Sequence, residues 1–149
     1  MAVQASSDNT TEPLILSGEA VAKEGTITQD LARATVLLSN TVMAFNATTQ
    51  EWVPFTSLVT VNGESVPRGI YLGDNITAAA LVAGDITNAP ILVGKAVVSN
   101  EVIVFDDDTL DKDDIVNPGT IEARPAGLAL QEASSIFIED TISISEFEN

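Results

Sequence analysis

Residues 106–114 hold the densest run of side chains able to do chemistry, Asp-Asp-Asp-Thr-Leu-Asp-Lys-Asp-Asp. Clustered carboxylates suit a hard cation such as calcium. A calcium loop sets oxygen ligands at alternate positions, with glycine at the sixth and a bidentate glutamate at the twelfth. Counted from Asp106, those two positions hold Asp111 and Asn117. The run therefore reads as a solvated acidic loop, and no structural metal is expected. The chain has no histidine and no cysteine. That removes the commonest general base, the commonest metal ligand, every Ser-His or Cys-His pair and every disulfide. There is no Gly-x-Ser-x-Gly, no phosphate loop, no His-Glu-x-x-His and no dinucleotide fingerprint, and the Gly69 to Gly73 segment carries no phosphate-binding lysine. Carboxylate pairs abound because the chain is acidic, whereas a glycosidase needs two at a set separation in a cleft. No catalytic residue, no cofactor and no enzymatic activity are expected.

Charge narrows the partners. Six basic residues face 22 acidic ones, for a formal net charge of −16. Such a surface repels phosphates, so nucleic acid and anionic membranes are not expected partners. Neutral, cationic or metal-ion partners fit better, and a solvated acidic surface that keeps the protein soluble accounts for the charge by itself. No run of eighteen apolar residues occurs, so no membrane span is expected. The first residues lack a basic region and an apolar core, so no signal peptide is expected. The Asn-x-Thr sequences at Asn9, Asn46 and Asn75 then read as turns.

These groups must be carried by strands. The 149 residues suit one domain with a real core, and with 45% apolar but only 5% aromatic residues that core is built from Val, Ile, Leu and Ala. Residues 1–12 are polar and read as a mobile arm, and residues 13–149 as one β-rich domain. Short apolar runs cut by Gly, Pro, Asn and Asp predict strands at 14–21, with Gly18 at a bulge or close approach, and along 67–105. Glu24-Gly25 reads as a turn. Residues 28–34 could be a capped helix or extended chain. Residues 42–45 and 51–55 flank a polar loop and predict a hairpin, with Pro54 placing the second strand at an edge or marking its end. Asn62-Gly63 predicts a type I′ turn. Thr77 followed by alanines and Gly84 predicts one short helix, ended in a left-handed turn. Ile142 and Ile144 alternate with hydroxyls as a half-buried strand. The expected core includes Ile70, Leu72, Leu92, Val97, Ile103, Leu128 and Ile142.

Two motifs repeat in alternation. Pro67-x-Gly69-Ile70-x-Leu72 is echoed by Pro125-x-Gly127-Leu128-x-Leu130, and Ile15-Leu16-x-Gly18-x-Ala20-Val21 by Ile91-Leu92-x-Gly94-x-Ala96-Val97. Two related halves and chance similarity among common β residues both account for the pattern.

The hairpin ending in Trp52-Val53-Pro54, then Val66-Pro67-Arg68-Gly69-Ile70, the Thr77 alanine segment, a strand ending in Gly94 and a late Ala126-Gly127-Leu128 follow one another in this order. In this the chain resembles the head decoration, or capsid-stabilising, proteins of tailed bacteriophages, of which the lambda-type decoration protein is the best known. The resemblance covers residues 14–132 and matches neither the acidic loop nor the Ile-Ser-Ile-Ser tail. It implies a mainly β fold, a small β-barrel, β-tulip or sandwich-like domain with one or two short helices behind a flexible N-terminal arm. It further implies a homotrimer bound to the major capsid protein on the outer surface of an icosahedral virion, assembled in the host cytoplasm, that stiffens the expanded head against internal DNA pressure. The arm residues Val3, Gln4, Ser6, Asn9, Thr10 and Glu12 would reach the capsid, and Trp52, Phe55 and Arg68 are candidate interface residues. Another minor capsid or fibre-base module, or a small acidic carbohydrate-binding or hydrolytic domain, are the alternatives.

Overall fold

The computed structural model describes residues 13–56, 66–116 and 124–140. Eight strands and two helices follow in the order β1 (Ile15–Ile27), β2 (Val42–Asn46), β3 (Glu51–Pro54), β4 (Pro67–Tyr71), α1 (Ala78–Ala83), β5 (Ile86–Ser99), β6 (Ile115–Val116), β7 (Arg124–Pro125), α2 (Ala126–Ser134) and β8 (Ile136–Glu139). The protein is mainly β, as its short apolar runs predict. Six strands form one mixed sheet in the order β1-β3-β2-β4-β5-β8, and β1 also pairs with β5. That second pairing closes β1, β3, β2, β4 and β5 into a barrel. It is antiparallel and runs from Ile15 opposite Val98 to Ile27 opposite Ile86. The β1–β3 seam is short, a parallel pairing of Ile27 with Trp52.

Strands β2 and β4 are buried on both faces, which explains why they read as continuous apolar runs and not as alternating ones. Neighbouring residues of one strand point to opposite faces. Met43, Tyr71 and Ile91 join Ile27, Leu37, Ile76 and Leu81 in one cluster. Their neighbours Val42, Ala44, Ile70 and Leu92 join Phe55, Leu130 and Ile136 in the other. Gly25 on β1 and Gly69 on β4 both face Trp52 on β3 and Ile91 on β5, so the first cluster fills the barrel lumen. Helix α1 closes onto it through Leu81, and α2 covers the outer cluster through Ala126, Ala129 and Leu130.

Several local expectations hold. Residues 42–54 form the hairpin, with Phe45 opposite Trp52. The Asn46 side chain accepts from the backbone N–H of Thr48 (2.9 Å) and Thr49 (3.1 Å), an Asx-type cap for the loop. Thr77 caps α1, its hydroxyl accepting from the Ala80 N–H at 3.2 Å. Gly18 has φ +103° in a bulged part of the β1–β5 ladder, and a Cβ there would lie 2.4 Å from the Lys95 carbonyl oxygen.

Other expectations are corrected. Glu24-Gly25 is not a turn but part of β1, because Gly25 leaves the space the indole of Trp52 occupies. Of the two readings for residues 28–34 the helix is ruled out: the segment is irregular chain with one turn at Leu31 and Ala32. The helix α1 ends without a left-handed residue, since Gly84 is extended at φ 172°. Residues 102–105 make a single bridge, Val104 with Thr41, and no strand. Leu128 is exposed and not core, because α2 turns Ala129 and Leu130 inward. Ile70 and Leu92 are fully buried, while Leu72 and Ile103 pack on the edge of the outer cluster. Val97 is half-buried. The repeat holds only in part. The two Ile-Leu-x-Gly-x-Ala motifs pair with each other in β1 and β5, but Pro67 opens a strand and Pro125 precedes a helix. The Asn62-Gly63 turn, the strand at Ile142 and the arm residues Val3, Gln4, Ser6, Asn9, Thr10 and Glu12 lie outside the described residues.

Candidate functional site

Trp52 stands at the mouth of the barrel. β3 holds its backbone between β2 and the end of β1, and its ring reaches across the lumen. An added Cβ on Gly25 would come within 2.7 Å of the indole Cδ1 and Nε1, and one on Gly69 within 3.1 Å of Cζ3. Two glycines on two different strands thus make room for one large ring. Phe45 meets it edge-on, with centroids 5.1 Å apart and planes at 64°, a favourable aromatic geometry. The indole remains half-buried.

Around it opens a groove of about 390 Å³, walled by Trp52, Phe45 and Val93 and rimmed by Lys23, Glu24, Gln50, Arg68 and Ser134. The end of α2 is tied to this rim, since the Ser134 hydroxyl donates to the Arg68 carbonyl oxygen at 2.6 Å. Two of the chain's six cations therefore meet at one aromatic patch. Arg33, Lys112 and Arg124 each have an acidic partner, whereas no ion pair joins Lys23 or Arg68 to another described residue. The arrangement can bind an apolar or aromatic group between charged rim residues of both signs.

A second cleft, of about 320 Å³, lies where Thr28, Gln29 and Asp30 meet Asp106. Arg33 organises it. Its guanidinium donates twice to the Asp106 carboxylate, each at 2.6 Å, and also to the carbonyl oxygens of Thr35 (2.8 Å) and Val36 (3.1 Å). The Arg33 side chain is only 7% exposed, and its hydrogen bonds to Asp106 hold the guanidinium pKa above its ordinary value. With its donors engaged in this way, Arg33 acts as a clamp on the loop 28–36.

The rest of the acidic loop caps itself. Asp107 accepts from both the N–H (3.0 Å) and the hydroxyl (2.6 Å) of Thr109, which lowers its pKa. Asp111 accepts from the Asp113 N–H at 2.8 Å, and Asp114 from the Asp111 N–H at 2.6 Å. Among the described residues no group of three acidic side chains converges as a metal site.

Of the candidate interface residues, the structure brings Trp52 and Arg68 to one groove. Phe55 is elsewhere, 1% exposed in the outer cluster and edge-on to Phe105 at 6.1 Å, so it offers no surface in this chain. Lys23, Phe45 and Gly25 belong to the site and carry no sequence signal for it, because Gly25 reads locally as a turn. The Arg33–Asp106 pair spans 73 residues and is equally silent in sequence. The sequence matches no protein-family model and shows no significant similarity to a curated protein.

Proposed function

We propose that this is a structural virion protein that binds the outer surface of an icosahedral phage capsid and stabilises the expanded head against internal DNA pressure. Its partner is the major capsid protein, and it sits there as a homotrimer. The observation that supports this best is strand β1. Its residues 16–24 are exposed, with Leu16 and Val21 among them, and pair with β5 on one side alone; among the described residues no strand covers the other side. An open strand edge is a template for another chain. Residues 1–12, which precede this strand in the sequence, are polar. Many copies of such a modest contact give firm attachment.

Removing residues 2–12 tests the proposal. The truncated protein should keep its melting temperature and lose binding in co-sedimentation with expanded capsids. Undiminished decoration would make the segment a passive tail, and a full chain that binds no capsid would end the capsid proposal. The half-buried indole over the Trp52 groove favours a second reading, a small carbohydrate-binding module. Saturable quenching of Trp52 by an oligosaccharide, with no capsid binding, would select it.

A further inference from the structure

We propose that the open edge of β1 pairs in solution with β1 of a second copy, antiparallel about a twofold axis through Val21. The edge is complementary to itself. Its sequence there is Gly18-Glu19-Ala20-Val21-Ala22-Lys23-Glu24. An antiparallel pair centred on Val21 sets Glu19 opposite Lys23 of the second copy, twice by symmetry. Val21, exposed in the single chain, then meets its own counterpart between the two charge pairs. Opposite charges directly across paired strands attract, and a twofold interface uses the same surface on both copies.

The backbone of β1 is set for this register. Pro90 lies opposite Glu24, has no N–H, and accepts at its carbonyl oxygen from the Leu72 N–H on the β4 side (2.8 Å). Ala96 lies opposite Gly18 and donates its N–H to the Ser135 carbonyl oxygen on the β8 side (3.3 Å). Opposed residues of an antiparallel ladder either bond each other or both turn away. Glu24 and Gly18 therefore turn their own N–H and C=O toward the open edge. The ladder shifts register between them, yet both strands advance equally, from Gly18 to Glu24 and from Ala96 to Pro90, so the shifts cancel. Gly18 and Glu24 are the residues that meet each other when the axis passes through Val21. Outward-turned residues alternate along a strand, so opposed pairs share parity and the axis passes through a residue. Among such axes within 18–24, only the one through Val21 sets Lys23 against a carboxylate, whereas an axis through Lys23 or Glu24 brings like charges together.

A lysine on an open edge ordinarily discourages pairing, and Glu19 of the second copy removes that obstacle. Neither Glu19 nor Lys23 has an ion-pair partner among the described residues. One strand edge is a small interface, so the dimer is transient and depends on concentration. The same edge cannot hold a second copy and a capsid strand together. This dimer is therefore a state of the free protein, and it stands whether or not the chain decorates a shell.

Sedimentation and native mass of the full chain, at about 0.15 M salt to screen its net charge, should show monomer passing to dimer with rising concentration. Lys23→Glu sets glutamate against Glu19, and Glu19→Lys sets lysine against Lys23. Each variant alone should weaken the dimer about tenfold or more. Both substitutions in one chain rebuild the two pairs and should restore it. An equal mixture of the two single variants should form a heterodimer, although neither dimerises by itself. Both side chains are exposed, so an unchanged melting temperature shows that each variant keeps the fold. A chain that stays monomeric at every concentration would overturn the pairing. Association that the single variants leave unchanged would place it on another surface and overturn it as well. Failure of both the mixture and the double variant to recover the dimer would overturn the register centred on Val21.

Discussion

The Asp106 carboxylate meets a nearly buried guanidinium, whereas Asp107, Asp111 and Asp114 accept local N–H groups. Replacing one member of a buried pair leaves the other uncompensated, at about 3–5 kcal/mol when burial is complete. Asp106 still reaches solvent, with 23% of its side chain exposed. Asp106→Asn should therefore cost about 2 kcal/mol, a fraction of that figure, measured by urea denaturation. A change within error would show the clamp to be ornamental. Tyr71 offers a pH test. It lies 4% exposed in the lumen, donates to the Asp74 carbonyl oxygen at 2.6 Å, and has its pKa raised by burial and then by the charge of Asp74. Because the folded state holds the phenol proton more tightly, this contribution is complete below the ordinary value of about 10 and is lost as pH rises through the folded pKa. Tyr71→Phe should cost about 1 kcal/mol at neutral pH through the lost hydrogen bond and should flatten the alkaline fall in stability. An equally steep fall in the variant would contradict this.

Strand β1 carries the most consequence among the elements. It is the closing strand of the barrel, the stave that leaves an edge open, and the neighbour of Trp52. Its contact with β5 depends on Gly18, where φ is +103° and the Lys95 carbonyl oxygen would lie 2.4 Å from a Cβ. Lys95 itself has a positive φ of 61°, so both strands bend at the same point. Gly18→Ala combines backbone strain with a clash against main chain, which does not move as a side-chain tip can. A loss of about 2–4 kcal/mol is expected, with hydrogen exchange rising first in β1 and the facing part of β5. Uniform protection in the variant would mean that the seam is slack. The helix α1 is short and is held by its Thr77 cap and by Leu81 in the lumen, so it serves as a lid on the barrel.

Charge acts at the scale of the whole molecule. A net charge of −16 on a small barrel opposes both compact folding and the approach of further copies. Salt screens exposed charges over about 10 Å at 0.1 M. The melting temperature and the self-associated fraction should both rise from very low to moderate ionic strength. Calorimetry and native mass across that range would show it, and a monotonic fall in both would mean that attractive surface pairs dominate.

The sequence alone determined the strand-rich character, the 42–54 hairpin, the Thr77 cap of α1 and the burial of Ile70 and Leu92. Each follows from side chains within a few residues of one another, whose dihedral preferences and apolar spacing act locally. Only the tertiary structure decided which strands close the barrel, because β1 and β5 meet across some 70 residues by packing and not by local preference. It also separated two similar motifs. Ile70 and Tyr71 after Pro67 continue as strand between β2 and β5, whereas Ala129 to Ala133 after Pro125 supply helix formers and an apolar face for the outer cluster. Gly25 beneath Trp52, and Arg33 against Asp106, are matches of size and charge between distant segments. Such complementarity exists only once the chain has folded, so no reading of neighbouring residues contains it.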